Sequence, residues 1–309
     1  MKNNILVLLS SYNGEKYIKE QIDSILNQKT EYEVDLLIRD DGSTDGTRNI
    51  LKEYKETYAD RVQIVYGENI GYIRSFFELI KMADGHKYYA LSDQDDVWLE
   101  NKLDAAVKMC DEENTELPLL YGSSSCLVNT ALEPFGETQK QLREITFYNT
   151  IIQNFFPGHT QVFNEPLCQL LKKEIDYSKI YVHDSWITNI AILYGKVIFD
   201  NHSYTLYRQH GSNEVGFGKG IVGWIQERIK RVKKNDNKKY SEQIHYFYEE
   251  CHRDMDESQK NEMKKFIDSQ VSWIKRVRYL FVTKMYRQRT FETVLFKLLY
   301  VSGGYKIKR

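Results

Sequence analysis

The sequence predicts an α/β fold: a mostly parallel central sheet flanked by helices, with a helical C-terminal extension. Two observations carry this prediction. In the first third of the chain, short apolar runs alternate with segments whose apolar residues recur at helical spacing, which is the pattern of βαβ units. From residue 221 onward, long polar–apolar patterns replace the short runs and favour helices.

Each strand predicted in the first third is a continuous apolar or aromatic run that stops at a polar loop. These strands cover residues 5–9, 34–38, 62–66 and 88–91. The segments between them carry their apolar residues on one helical face, such as Ile18, Ile22 and Ile25 in the first segment. The helices predicted from this spacing cover residues 16–28, 47–58 and 73–83.

Beyond residue 100 the pattern is less regular. Helical spacing predicts one helix over 102–111 and another from His183 to Tyr194. Short apolar runs predict further strands over 119–121, 126–128 and 197–199. A chain of 309 residues is long enough for one large domain with an extension.

Charge is distributed unevenly along the chain. Residues 221–309 hold 21 Lys and Arg against 11 Asp and Glu, whereas residues 1–220 hold 22 against 33. Such asymmetry indicates two tasks. We therefore divide the chain into an acidic body over 1–220 and a basic helical extension over 221–309.

The cysteines and the apolar segments indicate a reducing, aqueous setting. Four cysteines are scattered without a CxxC pair or zinc spacing, which favours reduced structural thiols in a cytosolic protein. They are Cys110, Cys126, Cys168 and Cys251. The apolar run near the start is too short for a secretory signal, and we expect no membrane-spanning segment.

Polar loops follow three of the predicted parallel strands, at residues 10–12, 40–41 and 93–96. The carboxyl ends of such strands share one edge of the sheet, and ligands of open α/β sheets bind there. The last loop holds Asp93, Asp95 and Asp96. Three carboxylates at close range repel one another, so a Mg²⁺ or Mn²⁺ ion that bridges them to phosphate is one interpretation. A solvated acidic turn is the other.

Four patches of the sequence can be considered together, namely SSYNGEKYIKEQIDSILNQ, RDDGSTDGT, LSDQDDVW, and HDSW followed by YRQHGSN. As an ordered set they resemble the family 2 glycosyltransferases. Within the family, the DQDDVW, HDSW and YRQHGSN variants look most like bacterial rhamnosyltransferases that build surface polysaccharides. The resemblance implies a Rossmann-like, A-type nucleotide-diphospho-sugar transferase fold. It also implies a catalytic domain over 1–220, with a nucleotide-binding half of about 1–120 and an acceptor half of about 121–220.

The resemblance assigns the nucleotide site to the first two strand ends and to Asp93. Asp41 would accept from the base N–H of a uracil or thymine nucleotide, Ser10 and Tyr12 would line the base pocket, and Asp93 would lie near the ribose. A calcium-loop interpretation of RDDGSTDGT fails because Lys52 stands where a bidentate Glu is required. Capping of the following helix remains an alternative for part of that loop.

The resemblance also implies a divalent cation, Mn²⁺ or Mg²⁺, bound by Asp95. Asp96 would support the cation or contact the donor sugar. His210 is a candidate second ligand of the metal or diphosphate, and Arg208 a candidate partner of phosphate oxygens. An ordinary polar loop is the alternative for the segment that carries His210 and Arg208.

For the second half of the reaction, the resemblance makes Asp184 the general base. It would take the proton from the acceptor hydroxyl in a single inverting displacement. A helix N-cap is the alternative role for Asp184. His183 is interpreted either as a tuning or acceptor contact or as a surface residue, and His159 as an acceptor contact.

The basic extension ends in a segment, 269–309, that holds ten Lys and Arg against one acid, Glu292, with interleaved aromatic and aliphatic residues. This composition fits a helix at an anionic membrane interface. A partner-docking hairpin or a helix that caps the sheet would fit as well. Nucleic acid is not expected, because no recognition motif accompanies the charge.

These observations predict an inverting, metal-dependent glycosyltransferase at the cytoplasmic face of the cell membrane. The expected donor is dTDP-L-rhamnose and the expected acceptor a lipid-linked glycan or growing polysaccharide. A UDP-hexose or UDP-N-acetylhexosamine donor is the nearest alternative. A nucleotidyltransferase would usually have an early basic, Gly-rich loop, and a non-catalytic sugar- or membrane-binding subunit would not need these carboxylates.

Overall fold

The computed structural model describes residues 3–211 and 236–307, and its contacts divide the chain into two compact units. The first unit holds the described residues within 1–140, 156–177 and 190–209, and the second those within 141–155, 178–189 and 210–309. The boundary at residue 220 lies outside the described residues, as do Ser212 and Asn213 of YRQHGSN. The division into body and extension therefore stays a prediction.

Within the described residues, every strand belongs to one mixed sheet in the first unit. The strands are β1 (Asn4–Ser11), β2 (Glu33–Asp40), β3 (Val62–Tyr66), β4 (Tyr88–Ser92), β5 (Val97–Trp98), β6 (Leu119–Val128), β7 (Pro134–Glu137), β8 (Val162–Asn164) and β9 (Lys196–Arg208). Their order is β3-β2-β1-β4-β8-β6-β9-β5, with β7 on β6. The first four strands pair in parallel, which confirms the predicted α/β class, and β8 runs antiparallel between β4 and β6.

The helices follow the predicted alternation in the first third of the chain and dominate its end. They are α1 (Ile18–Leu26), α2 (Thr47–Thr57), α3 (Tyr72–Met82), α4 (Lys102–Asp111), α5 (Phe147–Thr150), α6 (Glu165–Leu171), α7 (His183–Tyr194), α8 (Asp236–Cys251), α9 (Glu257–Ser269), α10 (Trp273–Leu280) and α11 (Thr290–Ser302). The helical C-terminal extension is therefore present in the described residues from 236 to 307.

The central strands are buried on both faces. Ile5, Val7 and Leu9 of β1 share a core with Ile22 and Ile25 of α1, and the alternate leucines of β1 are buried as well. Burial of a side chain of this size contributes about 1.5–3 kcal/mol. The continuous apolar run of β1 thus reflects a strand that is covered on both sides.

The full length of β6 was not predicted from the sequence. Two separate strands were predicted because Gly122 and the serines after it look like a loop, yet one strand runs from Leu119 to Val128. Ser123, Ser124 and Ser125 are fully buried. A Cβ atom at Gly122 would lie 2.4 Å from a ring carbon of Phe156, so small residues are needed where this strand is closely packed.

Candidate active site

The three polar loops predicted to converge do lie side by side. Ser11 at the end of β1 pairs with Asp40 at the end of β2, and Leu9 of β1 pairs with Ser92 at the end of β4. The segments that follow these strands therefore start from one edge of the sheet. We call this edge, formed by residues 10–15, 40–47 and 93–96, the rim.

Hydrogen bonds join the first two rim loops. The backbone N–H of Asn13 donates to Ser43 Oγ at 2.9 Å, and that of Gly14 donates to Thr47 Oγ1 at 2.8 Å. In return, the backbone N–H of Thr44 donates to Asn13 Oδ1 at 2.8 Å. Side-chain hydroxyls of the RDDGSTDGT loop thus hold the loop after β1 in a fixed position, whereas the N-cap of α2, Gly46, makes no side-chain cap hydrogen bond.

Asp41 is buried and orders a neighbouring loop. Its Oδ1 accepts from the Arg39 guanidinium and from the backbone N–H of Ile70, at 3.0 Å for the latter. Its Oδ2 accepts from the backbone N–H of Gly71 at 2.9 Å. Arg39 compensates the buried charge, so the carboxylate positions the segment before α3, and the base contact predicted for it remains a prediction.

Ser10 joins the same network, whereas Tyr12 faces solvent. Ser10 Oγ donates to Ser75 Oγ at 2.7 Å, and Ser75 Oγ accepts from Arg39 Nη1 at 3.2 Å. The Tyr12 side chain is 44% exposed. An exposed aromatic ring next to a buried polar network can stack on a planar base.

Asp96 is the buried acid of the third rim loop. It is 0% exposed, and its Oδ1 accepts from the backbone N–H of Arg208 at 3.1 Å. Its Oδ2 has no hydrogen-bond partner among the described residues. Burial, and then the charges of Asp95 and Asp93, raise the pKa of Asp96 well above its usual range. A buried carboxylate oxygen without a partner is costly and marks a position where a ligand would be stabilised.

Two carboxylates of this loop meet a histidine from a distant part of the chain. Ligand atoms of Asp93, Asp96 and His159 all lie within 4.8 Å of one another. His159 Nδ1 is 3.8 Å from Asp93 Oδ2, and its Nε2 is hydrogen-bonded to Ser125 Oγ at 2.8 Å. Such a partner on the second ring nitrogen is the usual way in which a metal-binding histidine is oriented. We call these three residues the Asp-Asp-His cluster.

The Asp-Asp-His cluster fits a divalent cation. Burial, and then the Lys102 charge, lower the pKa of His159 to about 3, so the imidazole is neutral at physiological pH, as a metal ligand must be. Two carboxylates and one imidazole form a donor set that suits Mn²⁺ and related ions. Lys102 is itself buried; its Nζ donates to His159 O at 2.6 Å, and burial lowers its pKa.

This cluster differs from the ligand pair expected from the sequence. Asp95 is not one of its members, and the main-chain oxygen of Asp95 accepts from Arg208 Nε at 2.9 Å. His210 belongs to the second unit. The assignments of Asp95 and His210 to the metal therefore stay predictions. The cluster adds Asp93 and His159 as candidates beside Asp96, which was expected either to support the cation or to contact the donor sugar.

Arg208 holds the acidic loop in place. Its guanidinium is paired with Glu20, donates from Nη1 to Thr130 O at 2.8 Å, and lies 4.5 Å from the centre of the Tyr17 ring. The side chain is 2% exposed. These contacts give Arg208 a structural role at the rim, and its contact to phosphate remains a prediction.

The second unit contains Asp184. The carboxylate is 8% exposed; each of its oxygens lies 3.0 Å from Asn154 Nδ2, and its Oδ1 accepts from the backbone N–H of Ser185 at 2.8 Å. Asp184 is the second residue of α7, so it is part of the first turn. His183 is buried as well, and burial lowers its pKa.

The sequence model of the family "Glycosyl transferase family 2" matches residues 6–177, which is more than half of the chain. The chain belongs to glycosyltransferase family 2. The match contains all three rim loops and His159, and it confirms the resemblance read from the motifs. It also makes the protein a glycosyltransferase.

Two curated relatives of this family 2 chain carry names that state a reaction. The chain is 31% identical over 223 residues to the dTDP-rhamnosyl transferase RfbG of Shigella flexneri, covering 67% of this chain and 73% of the relative. It is 30% identical over 151 residues to the UDP-Glc:alpha-D-GlcNAc-diphosphoundecaprenol beta-1,3-glucosyltransferase WfgD of Escherichia coli, covering 48% of this chain and 55% of that relative.

Among solved structures, the chain is similar to S. aureus TarS 1–349, crystallised in complex with UDP-GlcNAc. The TM-score is 0.62 at 18% identity, over 84% of this chain and 70% of that chain. This likeness, together with the family match, confirms the A-type glycosyltransferase fold that the resemblance implied.

Three candidate site residues carried little or no signal in the sequence. His159 was expected only as an acceptor contact, because its turn resembles the acceptor-side turn of the family. It lies far from the acidic loop in the sequence, and the pairing of β8 with β4 brings the two together. Ser125 and Asn154 belong to no recognisable motif. A topology that places β8 beside β4 would have been needed to find the Asp-Asp-His cluster.

Proposed function

We propose that this family 2 glycosyltransferase moves L-rhamnose from dTDP-L-rhamnose onto a lipid-linked glycan or a growing surface polysaccharide, with inversion and with a divalent cation. The observation that carries the transfer chemistry is the Asp-Asp-His cluster at the rim, with the partnerless Oδ2 of Asp96. Support for the donor sugar comes from the name and the coverage of RfbG.

The residues of the rim and of the Asp-Asp-His cluster are assigned to the nucleotide or to the cation. Ser10, Tyr12 and Asp41 bind the base, and Asp93, Asp96 and His159 hold the cation, with Asp93 also near the ribose. A divalent cation, when bound, supplies positive charge where the leaving diphosphate gains negative charge. Ser125 keeps the His159 ring oriented toward the carboxylates.

Asp184 is the proposed general base. It takes the proton from the acceptor hydroxyl as that oxygen attacks the anomeric carbon opposite the leaving group. One displacement with one base gives inversion. Asn154 fixes the carboxylate, because its single Nδ2 group lies at hydrogen-bond distance from both oxygens.

A second candidate keeps the fold and the chemistry but uses a UDP-sugar. The names of WfgD and of the TarS complex contain UDP-Glc and UDP-GlcNAc. The WfgD name also contains a diphosphoundecaprenol-linked acceptor, which supports a lipid-linked acceptor for either donor.

Calorimetric titration separates the two donor proposals. We expect dTDP to bind in the presence of Mn²⁺ at least about tenfold more tightly than UDP, a difference of about 1.4 kcal/mol, because a pocket shaped for thymine gains contact with the 5-methyl group. GDP serves as the control nucleotide, since a purine does not fit a pyrimidine pocket. Tighter binding of UDP than of dTDP would contradict the dTDP-L-rhamnose donor and favour a UDP-sugar donor.

We further propose that the second unit contacts the anionic face of a membrane through α10 and α11. The two helices pack together through Tyr279 and Tyr300, whose ring centres are 5.2 Å apart. Large apolar side chains in and around these helices remain exposed, namely Val271, Trp273, Ile274, Phe281, Val282, Phe291, Val294 and Leu298. Exposed basic residues lie among them, namely Lys275, Arg278, Lys284 and Arg289. Among the described helices, none is long and apolar enough to cross a bilayer.

Phe281→Glu tests this membrane contact. Phe281 is 85% exposed, and loss of its insertion should weaken binding by about tenfold or more. Co-sedimentation with phosphatidylcholine–phosphatidylglycerol vesicles measures the effect, and vesicles of phosphatidylcholine alone test the role of charge. Leu117→Glu is the matched control, because Leu117 is 52% exposed in the first unit. Equal sedimentation of the Phe281 variant and the wild type would contradict the proposal.

A further inference from the structure

Gln94 lies between Asp93 and Asp95 in the sequence. Its side chain forms hydrogen bonds with the loop after β1. Its Oε1 accepts from the backbone N–H of Tyr12 at 2.8 Å and from Ser11 Oγ at 3.1 Å. Its Nε2 donates to the backbone oxygen of Tyr12 at 3.0 Å. One amide therefore satisfies both backbone groups of Tyr12, as a neighbouring strand would.

Gly14, in the loop after β1, packs closely against the Gln94 amide. A Cβ atom at Gly14 would lie 2.4 Å from Gln94 Oε1 and 2.8 Å from Gln94 Cδ. Gly14 is not among the residues with positive φ, so its backbone does not require glycine. The requirement is space: the loop after β1 approaches the Gln94 amide more closely than any side chain would allow.

We propose that Gln94 is a positioning residue that couples the cation site to the nucleotide pocket. It joins the loop that carries Tyr12 to the loop that carries Asp93 and Asp96. An amide fits this position because its oxygen accepts from the backbone N–H of Tyr12 while its NH2 group donates to the backbone oxygen of the same residue, and Asn is one methylene shorter. The inference rests on the proposed function, in which Tyr12 contacts the base and Asp93 and Asp96 hold the cation.

Coupling follows from the mechanical link between the loops. When the cation fixes the acidic loop, Gln94 fixes Tyr12 with it, so the nucleotide binds to a pocket that is already ordered. Coupling of this kind is reciprocal, and typical factors are about 5–150-fold. Without Gln94, the loop after β1 is still held by Ser43 and Thr47, but the link from the acidic loop is lost.

The test is calorimetric titration of dTDP and UDP, with and without Mn²⁺, into the full chain and its variants. The measured quantity is the factor by which Mn²⁺ tightens nucleotide binding. We expect Gln94→Ala to lower this factor at least about fivefold, and Gln94→Glu to lower it as well because a carboxylate cannot donate to Tyr12 O. Gln63→Ala is the matched control, since Gln63 is exposed on β3, and it should keep the wild-type factor.

Gly14→Ala probes the same contact from the other loop. Its methyl group should displace the Gln94 amide and reproduce the loss. The double variant Gly14→Ala with Gln94→Ala should lose no more than either single variant, because both remove one interaction. Thermal unfolding of each variant confirms that the fold is retained.

A wild-type coupling factor in Gln94→Ala would overturn the inference, and so would additive losses in the double variant. A wild-type protein that binds nucleotide equally well with and without Mn²⁺ would also overturn it. A wild-type protein that binds neither dTDP nor UDP would instead refute the proposed function, so the two failures are distinguishable.

Discussion

Asp184→Asn should lower the rate of sugar transfer by about 10²–10⁴-fold, the usual contribution of a general base, while nucleotide binding stays at the wild-type level. Asparagine has nearly the same shape as the buried carboxylate, so the first turn of α7 should persist. The asparagine side chain cannot take a proton from the acceptor, so only the rate of the chemical step should fall. Initial rates at saturating donor measure the loss, and calorimetry with dTDP and Mn²⁺ measures binding.

Asp268→Asn is the matched control for this experiment. Asp268 lies in α9 of the same unit and is exposed, so the same change of charge should leave the transfer rate unaltered. Transfer at the wild-type rate in Asp184→Asn would remove Asp184 as the base. A loss of transfer that coincides with unfolding would show a structural role, which thermal unfolding detects.

Asp96→Asn should weaken cation binding by about 100-fold or more, because the variant loses a ligand, and loss of an outer-shell partner alone typically costs 10–100-fold. The amide oxygen can still accept from the backbone N–H of Arg208, so the loop should keep its shape. The partnerless Oδ2 would be replaced by an uncharged group in the Asp-Asp-His cluster. Titration with Mn²⁺, followed by calorimetry or by the electron paramagnetic resonance of free Mn²⁺, measures the effect.

Asp95→Asn is the informative comparison, because it makes the same change one residue earlier. The Asp-Asp-His cluster predicts that Asp95→Asn weakens cation binding less than Asp96→Asn does. If Asp95→Asn weakened cation binding more than Asp96→Asn, Asp95 would be the metal ligand, as the resemblance implied. His159→Ala should resemble Asp96→Asn, since the imidazole is the third member of the cluster.

The rim could be predicted from the sequence because the patterns that indicate it lie within short segments of the chain. An apolar run such as Ile5–Leu9 predicts a buried strand, a loop of Ser, Asn and Gly predicts where that strand ends, and βαβ handedness brings successive strand ends together. Asp41 and Asp93 were therefore placed at one edge of the sheet without knowledge of any contact. The family match over residues 6–177 then confirmed the family that the motifs had indicated.

The rest depended on pairings that leave no pattern in the sequence. His159 joins Asp93 and Asp96 only because β8 inserts antiparallel between β4 and β6. The buried serines of β6 look like a loop until the tight packing at Gly122 is known. The roles of Gln94 and Asn154 depend on hydrogen bonds to residues that are distant in the sequence. A single uncharged amide matches no sequence pattern that would predict such a role.

Release of nucleotide diphosphate from a panel of donors tests the central claim most directly. The panel comprises dTDP-L-rhamnose, UDP-glucose, UDP-galactose and UDP-N-acetylglucosamine, each with Mn²⁺ and a lipid extract as the source of acceptor, with Asp184→Asn as the background. We predict that dTDP-L-rhamnose turns over fastest, that chelation of the cation stops turnover, and that the variant stays at background. Faster turnover of a UDP-sugar would contradict the rhamnose donor, and turnover of no donor would contradict the proposed transfer itself.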